Sequence, residues 1–180
     1  KFSGATMKKA IFLSLIFLAG SLFAAEYKYI GVKKCGICHK KAETGNQLAQ
    51  WTKSRHAKAF ETLATKEAKE VGKKLGVKDP QTSPKCLKCH VTAYDKPASQ
   101  KLPTFLASDG ISCETCHGPG SAYYKKPIMI DQKKSLAAGL IIPDKKLCIT
   151  CHNEESPTYK PFNYAEKLKL IAHPNPAKKK

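Results

Sequence analysis

The chain has 180 residues, of which 42% are hydrophobic, and its 32 Lys and Arg residues outnumber its 14 Asp and Glu residues to give a net charge of +18. A chain of this length normally folds around one core, which excludes an assembly of several large domains. A basic chain can bind nucleic acid. Here the lysines accompany cysteine motifs and the amino terminus predicts export, so nucleic acid is excluded as the expected partner.

The amino-terminal region has the layout of a secretory signal peptide. A short basic region at Met7 precedes an apolar run from Ala10 to Ala25, after which the chain is polar and rich in lysine. The run is shorter than the roughly 20 residues that a comfortable membrane span needs; an uncleaved anchor helix is the alternative. We therefore expect residues 1–25 to contain upstream residues and a cleaved signal. Residues 26–180 should form a single soluble periplasmic domain, without stable membrane insertion and with a disordered basic tail.

Four copies of the sequence Cys-x-x-Cys-His use all eight cysteines of the chain. Their cysteines and histidines, from the first motif to the fourth, are Cys35, Cys38 and His39; Cys86, Cys89 and His90; Cys113, Cys116 and His117; and Cys148, Cys151 and His152. This pentapeptide attaches c-type haem: the thiols form thioether bonds and the histidine is an axial ligand of the iron. Zinc sites or disulfides are alternatives, but neither explains a histidine after every second cysteine. The sequence predicts four covalently bound haem c groups.

The pattern between the motifs predicts a mainly α-helical fold with little or no sheet. The best helical pattern lies within 43–77, where apolar residues recur every three or four positions and His56 falls in the apolar stripe. The other expected features are a linker loop over 96–108, a turn at Gly118-Pro119-Gly120, a short helix over 133–140 and a helix over 162–173. Four macrocycles must fill much of the interior. We therefore expect sparse helices and loops wrapped around four packed haems.

The histidines outside the motifs are too few for the predicted irons. Full coordination needs four further axial ligands, and only His56 and His173 remain. His56 could be a satisfied core histidine. In a protein whose irons lack ligands, we expect both residues to bind iron.

Several runs around the motifs carry a family resemblance. These runs are Lys33-Lys34-Cys35, Cys38-His39-Lys40, Trp51, Ser54-Arg55-His56-Ala57-Lys58-Ala59, Cys89-His90-Val91 and the stretch from Gly110 to Gly120. In them the chain resembles the tetrahaem cytochrome c-554 family, which implies a mainly helical periplasmic fold with closely packed haems and a role in electron transfer. The resemblance also implies that His56 is the distal ligand of the third haem, bound through His117. It assigns His173 to the fourth haem, bound through His152, and leaves the second haem, bound through His90, five-coordinate.

One distal ligand of the family pattern is missing from this sequence. The family's first haem has a distal histidine shortly after the Gly-Pro-Gly turn, whereas residues 121–129 contain no histidine. Met129, the only methionine beyond the predicted signal, is our candidate for the sixth ligand of the first haem, where a thioether would raise the reduction potential. The alternatives are a methionine that fills an apolar gap, ligation by Lys125 or Lys126, and an empty position.

Three functions fit these residues. The first is an electron relay between redox protein partners in a respiratory or nitrogen-oxidation chain. In that case the lysines beside the motifs contact haem propionates or form a basic docking face that steers an acidic partner. The second is a redox enzyme for nitric oxide or hydroxylamine at an open second haem. The third is a structural unit, such as one protomer of a filament. We expect a monomeric electron carrier rather than an enzyme.

Overall fold

The computed structural model describes residues 26–173 and 175–176. The expected signal peptide and the lysines of the expected basic tail lie outside these residues, so both stay predictions. Within the described part of the chain, no helix is both long and apolar enough to cross a membrane.

The described residues form ten short α-helices separated by turns and loops. These are α1 (Val32–His39), α2 (Gln47–Thr52), α3 (Ala59–Thr62), α4 (Lys66–Lys74), α5 (Pro84–His90), α6 (Cys113–His117), α7 (Lys126–Met129), α8 (Gln132–Ala137), α9 (Lys145–Cys148) and α10 (Tyr164–Ile171). Single 3₁₀ turns lie at Ala42–Thr44, Ala98–Gln100 and Ala107–Asp109. Between residues 26 and 173, the single β-type pairing is a parallel bridge between Tyr29 and Lys101. The predicted mainly α-helical fold without a sheet is confirmed.

The helical region predicted within 43–77 is divided into α2, α3 and α4, with His56 in the turn that separates α2 from α3. The Ser54 hydroxyl accepts the amide hydrogen of Ala57 at 3.3 Å, a local bond that competes with helical backbone bonding. The His56 carbonyl accepts a hydrogen bond from the Ile111 amide at 3.0 Å. The same carbonyl accepts a local bond from the Ala59 amide at 3.1 Å, a turn across three residues rather than the four of an α-helix, so the local apolar period does not continue as one helix.

The short helices predicted over 133–140 and 162–173 are present as α8 and α10. Each begins after a side-chain cap, which satisfies an amide that has no partner within the helix. Asp131 accepts from the Lys134 amide at 3.0 Å, and Asn163 accepts from the Glu166 amide at 3.3 Å. Helix α10 ends at Ile171, so His173 follows its last turn by two residues.

The amino-terminal segment before α1 joins distant parts of the chain. The Tyr29 amide donates to the Gln100 carbonyl and the Leu102 amide donates to the Tyr29 carbonyl, each at 2.8 Å. The Lys28 carbonyl accepts from the Ser121 amide at 3.1 Å. These bonds hold the start of α1 between the loop that precedes the third motif and the turn that follows it.

The apolar core of the described residues is small. Its buried side chains are Ile30, Val32, Ala59, Leu63, Val91, Ile111 and Tyr123. Other large apolar side chains stay exposed beside the motifs: Ile37 lies inside the first motif, Ile149 inside the fourth, and the backbone of Ile141 bonds to His117 of the third. Exposed apolar side chains grouped in this way indicate a binding surface, and a macrocycle bound beside each motif would bury them.

Candidate haem centres

The motifs fold locally into helical turns. The first three lie within α1, α5 and α6, and the fourth begins at the end of α9. There the backbone remains helical, since the His152 amide donates to the Cys148 carbonyl at 3.0 Å. Residues three apart on a helix lie on the same face, so each pair of thiols points to one side. All eight thiols are free, and the described residues contain no cluster of three or more potential metal ligands. A pair of thiols on one face, with a histidine directly after the second, is the arrangement that haem attachment requires.

Hydrogen bonds orient the histidines of the first three motifs. His90 Nδ1 donates to the Ala59 carbonyl at 2.7 Å, and His117 Nδ1 donates to the Ile141 carbonyl at 3.2 Å. His39 Nδ1 lies 3.2 Å from the Gln47 amide oxygen. A carbonyl oxygen can only accept, so Nδ1 carries the proton and Nε2 keeps its lone pair. An imidazole held in this way is prepared to bind iron through Nε2.

The histidines form two facing pairs. The ring centroids of His56 and His152 are 6.0 Å apart with the planes inclined by 63°, and those of His117 and His173 are 6.0 Å apart at 71°. With metal–nitrogen bonds of about 2 Å, as in zinc–imidazole complexes, two imidazoles on opposite sides of one metal have centroids about 6 Å apart. The pairs therefore fit the two axial ligands of one iron each.

This pairing corrects the one that the family resemblance implies. His56 faces His152 of the fourth motif rather than His117 of the third, and His173 faces His117 rather than His152. The physical reason is tertiary, because a distal residue comes from a segment far from its partner in sequence. Which motif it faces depends on how those segments pack. His56 and His173 stay predicted iron ligands, with their partners exchanged.

Local contacts hold the paired rings in place. Phe162 stacks on His152 with ring centroids 4.8 Å apart and planes inclined by 11°. His173 Nδ1 donates to the Ile171 carbonyl at 2.7 Å, which leaves Nε2 free to face His117. On the other pair, the Trp51 indole donates to the Ile111 carbonyl at 2.9 Å, which fixes the segment that carries His56.

Burial keeps these imidazoles in the form that binds metal. Burial, and next the charge of His152, lower the pKa of His56. Burial also lowers the pKa of His117, against the opposing effect of its hydrogen bond to Ile141, and that of His152, with a further contribution from Lys167. A lowered pKa favours the neutral imidazole, and the neutral ring is the ligand form.

The four motifs approach one another in an order that differs from their order in the sequence. The thiols of Cys35 and Cys113 lie within hydrogen-bonding reach, which brings the first and third motifs together. Cys116 interacts with Cys148 and Cys151, which brings the third and fourth together. The Cys151 thiol also contacts Cys89, which brings the fourth and second together. The attachment sites therefore form a series from the first motif through the third and fourth to the second.

The second motif opens on a cavity of about 220 Å³ between α4, α5 and the segment after the fourth motif. His90, Cys86 and Cys89 lie in its wall, together with apolar side chains of α4 and its flanks that include Leu63, Val71 and Leu75. His90 is the only histidine among the lining residues, and none of them is methionine. At the rim, Lys88 and Glu155 form an ion pair at 2.7 Å.

Met129 lies half-buried at the carboxyl end of α7, while Lys125 and Lys126 are exposed. Nothing in the hydrogen bonds or ring contacts of the described residues joins Met129 to His39. Its assignment to the first haem stays a prediction.

Two contributions to the site escape sequence reasoning. Glu114 is only 2% exposed, although a charged residue between two cysteines normally indicates a solvated face. Thr92 is also buried, and its hydroxyl bonds with the hydroxyls of Ser112 and Thr115 at 3.0 and 2.7 Å. The one available signal is position, because Glu114 and Thr115 occupy the variable positions of the third motif.

Comparison with known proteins identifies relatives of this arrangement. The family described as "Cytochrome c554 and c-prime" matches residues 34–118, a stretch that contains the first three motifs. Cytochrome c-554 of Nitrosomonas europaea is 36% identical over 107 residues, which are 57% of this chain and 43% of that protein. The match therefore spans less than half of the curated relative. The solved structure of reduced cytochrome c554 from Nitrosomonas europaea superposes with a TM-score of 0.52 and 27% identity, and covers 81% of this chain and 79% of that one.

Proposed function

We propose that the chain is a member of the cytochrome c-554 family, which it resembles in sequence and structure, and that it relays electrons through four haem c groups in the periplasm. The resemblance supports a c-type cytochrome with a role in electron transfer. The proposal adds the count of four, export, and partners in a respiratory or nitrogen-oxidation chain.

The observation that carries the proposal is the pair of facing histidines at 6.0 Å in two of the four centres. Attached haem c supplies a reversible one-electron couple at iron. His56 and His152 would hold one iron, and His173 and His117 would hold the neighbouring one, so that these are the two inner centres of the series. Water and small substrates are then excluded from these two irons, so the protein residues restrict them to electron exchange.

The series of attachment sites supports a relay rather than four independent centres. Electrostatic interactions between cysteines link the first motif to the third, the third to the fourth and the fourth to the second. The first and second sites therefore form the two ends of the series. We propose that the redox partners exchange electrons at these ends.

Mass spectrometry and low-temperature electron paramagnetic resonance (EPR) of the oxidised holoprotein test this proposal. We expect the added mass of four haems and low-spin bis-histidine signals from two irons. A mass with fewer haems, or four high-spin irons, would overturn it. Export is tested separately, by sequencing the amino terminus of the protein recovered from the periplasmic fraction, which we expect to begin near residue 26.

A second function rests on the cavity beside His90. No second histidine or methionine lies among its lining residues, so the second iron could bind a small ligand such as nitric oxide or hydroxylamine. We propose this redox activity as the alternative. Turnover of either compound by the holoprotein, with loss of turnover when a tight-binding exogenous ligand occupies the high-spin iron, would support it. Binding without turnover would leave the relay as the function.

A further inference from the structure

Glu114 is a buried carboxylate whose oxygens are held by backbone amides. One oxygen accepts from the amides of Ile30 at 2.8 Å and Gly120 at 2.7 Å, and the other accepts from Gly31 at 2.8 Å and again from Ile30 at 3.1 Å. The residue is only 2% exposed. Three segments of the chain therefore converge on one side chain: the start of α1, helix α6 and the turn after it.

These hydrogen bonds favour the ionised carboxylate. Every partner of the two oxygens is a donor, so a protonated carboxyl group would turn its own hydrogen toward an amide hydrogen. Burial raises the pKa of Glu114, and the amides of Ile30, Gly120 and Gly31 oppose that effect. None of the ion pairs among the described residues includes Glu114. The negative charge is therefore balanced by amide dipoles and not by a cationic side chain.

The charge lies between two attachment sites. Glu114 separates Cys113 from Cys116 in the third motif, while its amide partner Gly31 directly precedes α1, which carries the first motif. The hydrogen bond between Cys35 and Cys113 raises the pKa of Cys35 and lowers that of Cys113; the charge of Glu114 adds a smaller contribution that reinforces the first shift and opposes the second, so it acts on an attachment thiol of each motif. The carboxylates that act on Cys89 of the second motif and Cys148 of the fourth are instead Glu155 and Asp144.

We propose that Glu114 lowers the reduction potentials of the first and third haems and positions their two attachment helices against each other. The inference rests on the proposed function. A ferric haem carries one more positive charge than a ferrous haem, so a fixed negative charge nearby stabilises the oxidised state. In a buried, poorly screened position this attraction is stronger than at the surface. Glu114 is a positioning residue, because it acts on iron through space and through the helices that it joins.

The test is an EPR-monitored redox titration of the holoprotein with Glu114→Gln. We expect two of the four potentials to rise by the equivalent of about a tenfold change in the ratio of oxidised to reduced iron, which is about 59 mV for one electron. The high-spin second haem and the fourth haem should keep their potentials. Glu154→Gln is the matched control, since it removes an exposed carboxylate two residues after His152 and should leave all four potentials close to those of the parent.

Further measurements separate the charge from the fold. Glu114→Asp keeps the charge, so it should keep the first and third potentials near their parent values. If Glu114→Gln fails to mature, redox-difference infrared spectroscopy of the parent protein with labelled glutamate decides instead. A carboxylate band that moves on reduction supports the proposal, and a protonated carboxyl band overturns it. Two results in variants that retain four haems would also overturn it. One is unchanged potentials in Glu114→Gln, and the other is an equal shift of the potentials in Glu114→Gln and Glu114→Asp. Failure of the proposed function would be detected separately, as a haem count other than four in the parent protein.

Discussion

The imidazole rings of His56 and His152 face each other with centroids 6.0 Å apart, although 96 positions separate them in the chain. His56 lies in the turn between α2 and α3. Its carbonyl accepts a hydrogen bond from the Ile111 amide, and the nearby Trp51 indole donates to the Ile111 carbonyl. His152 follows α9 and is covered by the stacked ring of Phe162. The pair therefore depends on packing between the 51–59 and 148–162 regions, and this packing predicts that His56 is a ligand of the fourth haem.

Replacing His56 with alanine should convert one low-spin iron to high spin while four haems stay attached. The imidazole is lost, and alanine cannot bind the vacated axial position. Low-temperature EPR of the oxidised variant measures the change, with haem content determined by mass spectrometry. Retention of all the low-spin signals of the parent would show that His56 is a core histidine and not a ligand.

The partner of His56 can be identified by removing the fourth attachment site. In a Cys148→Ala/Cys151→Ala background the fourth haem is absent, so His56→Ala should create no additional high-spin iron. His173→Ala in the same background should still create one, because its facing residue is His117. The opposite result would restore the pairing that the family resemblance implies.

The cap of α10 should control the distal ligand of the third haem. Asn163 accepts the Glu166 amide and begins the helix that ends two residues before His173. Asn163→Ala should destabilise this helix by about 1 kcal/mol, the usual effect of losing such a cap. We expect the low-spin signal of the third haem to be lost at a lower temperature than in the parent. Asp131→Ala, which removes the cap of α8, is the control and should leave that signal unchanged.

The sequence predicts the attachment sites and the ligand candidates but not their spatial partners. The four motifs and the two histidines outside them can be identified in the sequence alone, which is why His56 and His173 could be singled out. The break of the helical region at His56 could not be predicted, because it depends on hydrogen bonds to Ile111 from a segment remote in sequence. The burial of Glu114 was missed for the same reason, since its amide donors include Ile30 and Gly31, more than 80 positions away.

Gly110 should be required for the position of His56. Its φ is +65°, and a Cβ there would lie 2.8 Å from the His56 carbonyl oxygen and 3.2 Å from the Ala59 amide. Gly110→Ala should therefore add a backbone clash to the roughly 1–2 kcal/mol of strain that an L-residue meets at positive φ. Gly76 is a matched control, with φ +66° and nothing within 4 Å of its added Cβ.

We expect Gly110→Ala to lower the free energy of unfolding more than Gly76→Ala, and to weaken the low-spin signal assigned to His56. Thermal unfolding followed by circular dichroism, together with EPR at low temperature, measures both effects. Equal destabilisation by the two substitutions, with unchanged low-spin signals, would show that the contact between Gly110 and His56 is not needed for ligation.

Met129→Leu should change the first haem alone if the thioether is its sixth ligand. Leucine preserves the volume and apolar character of methionine but cannot bind iron. We expect the near-infrared magnetic circular dichroism band of histidine–methionine ligation to disappear and the highest reduction potential to fall. Lys126→Leu is the control for the neighbouring candidate ligand. An unchanged spectrum in Met129→Leu would leave methionine as a side chain that fills an apolar gap.

The cavity beside His90 predicts one iron that accepts an added ligand. No other histidine and no methionine lies among its lining residues, so imidazole or cyanide added to the oxidised holoprotein should bind at the second iron, with a stoichiometry of one when Met129 ligates the first. The bound ligand should convert the high-spin signal of the second haem to low spin. In His56→Ala the stoichiometry should rise to two, which provides a positive control for detection. If the parent binds no ligand while the variant binds one, the second haem has a sixth protein ligand and the proposed alternative activity at that site is excluded.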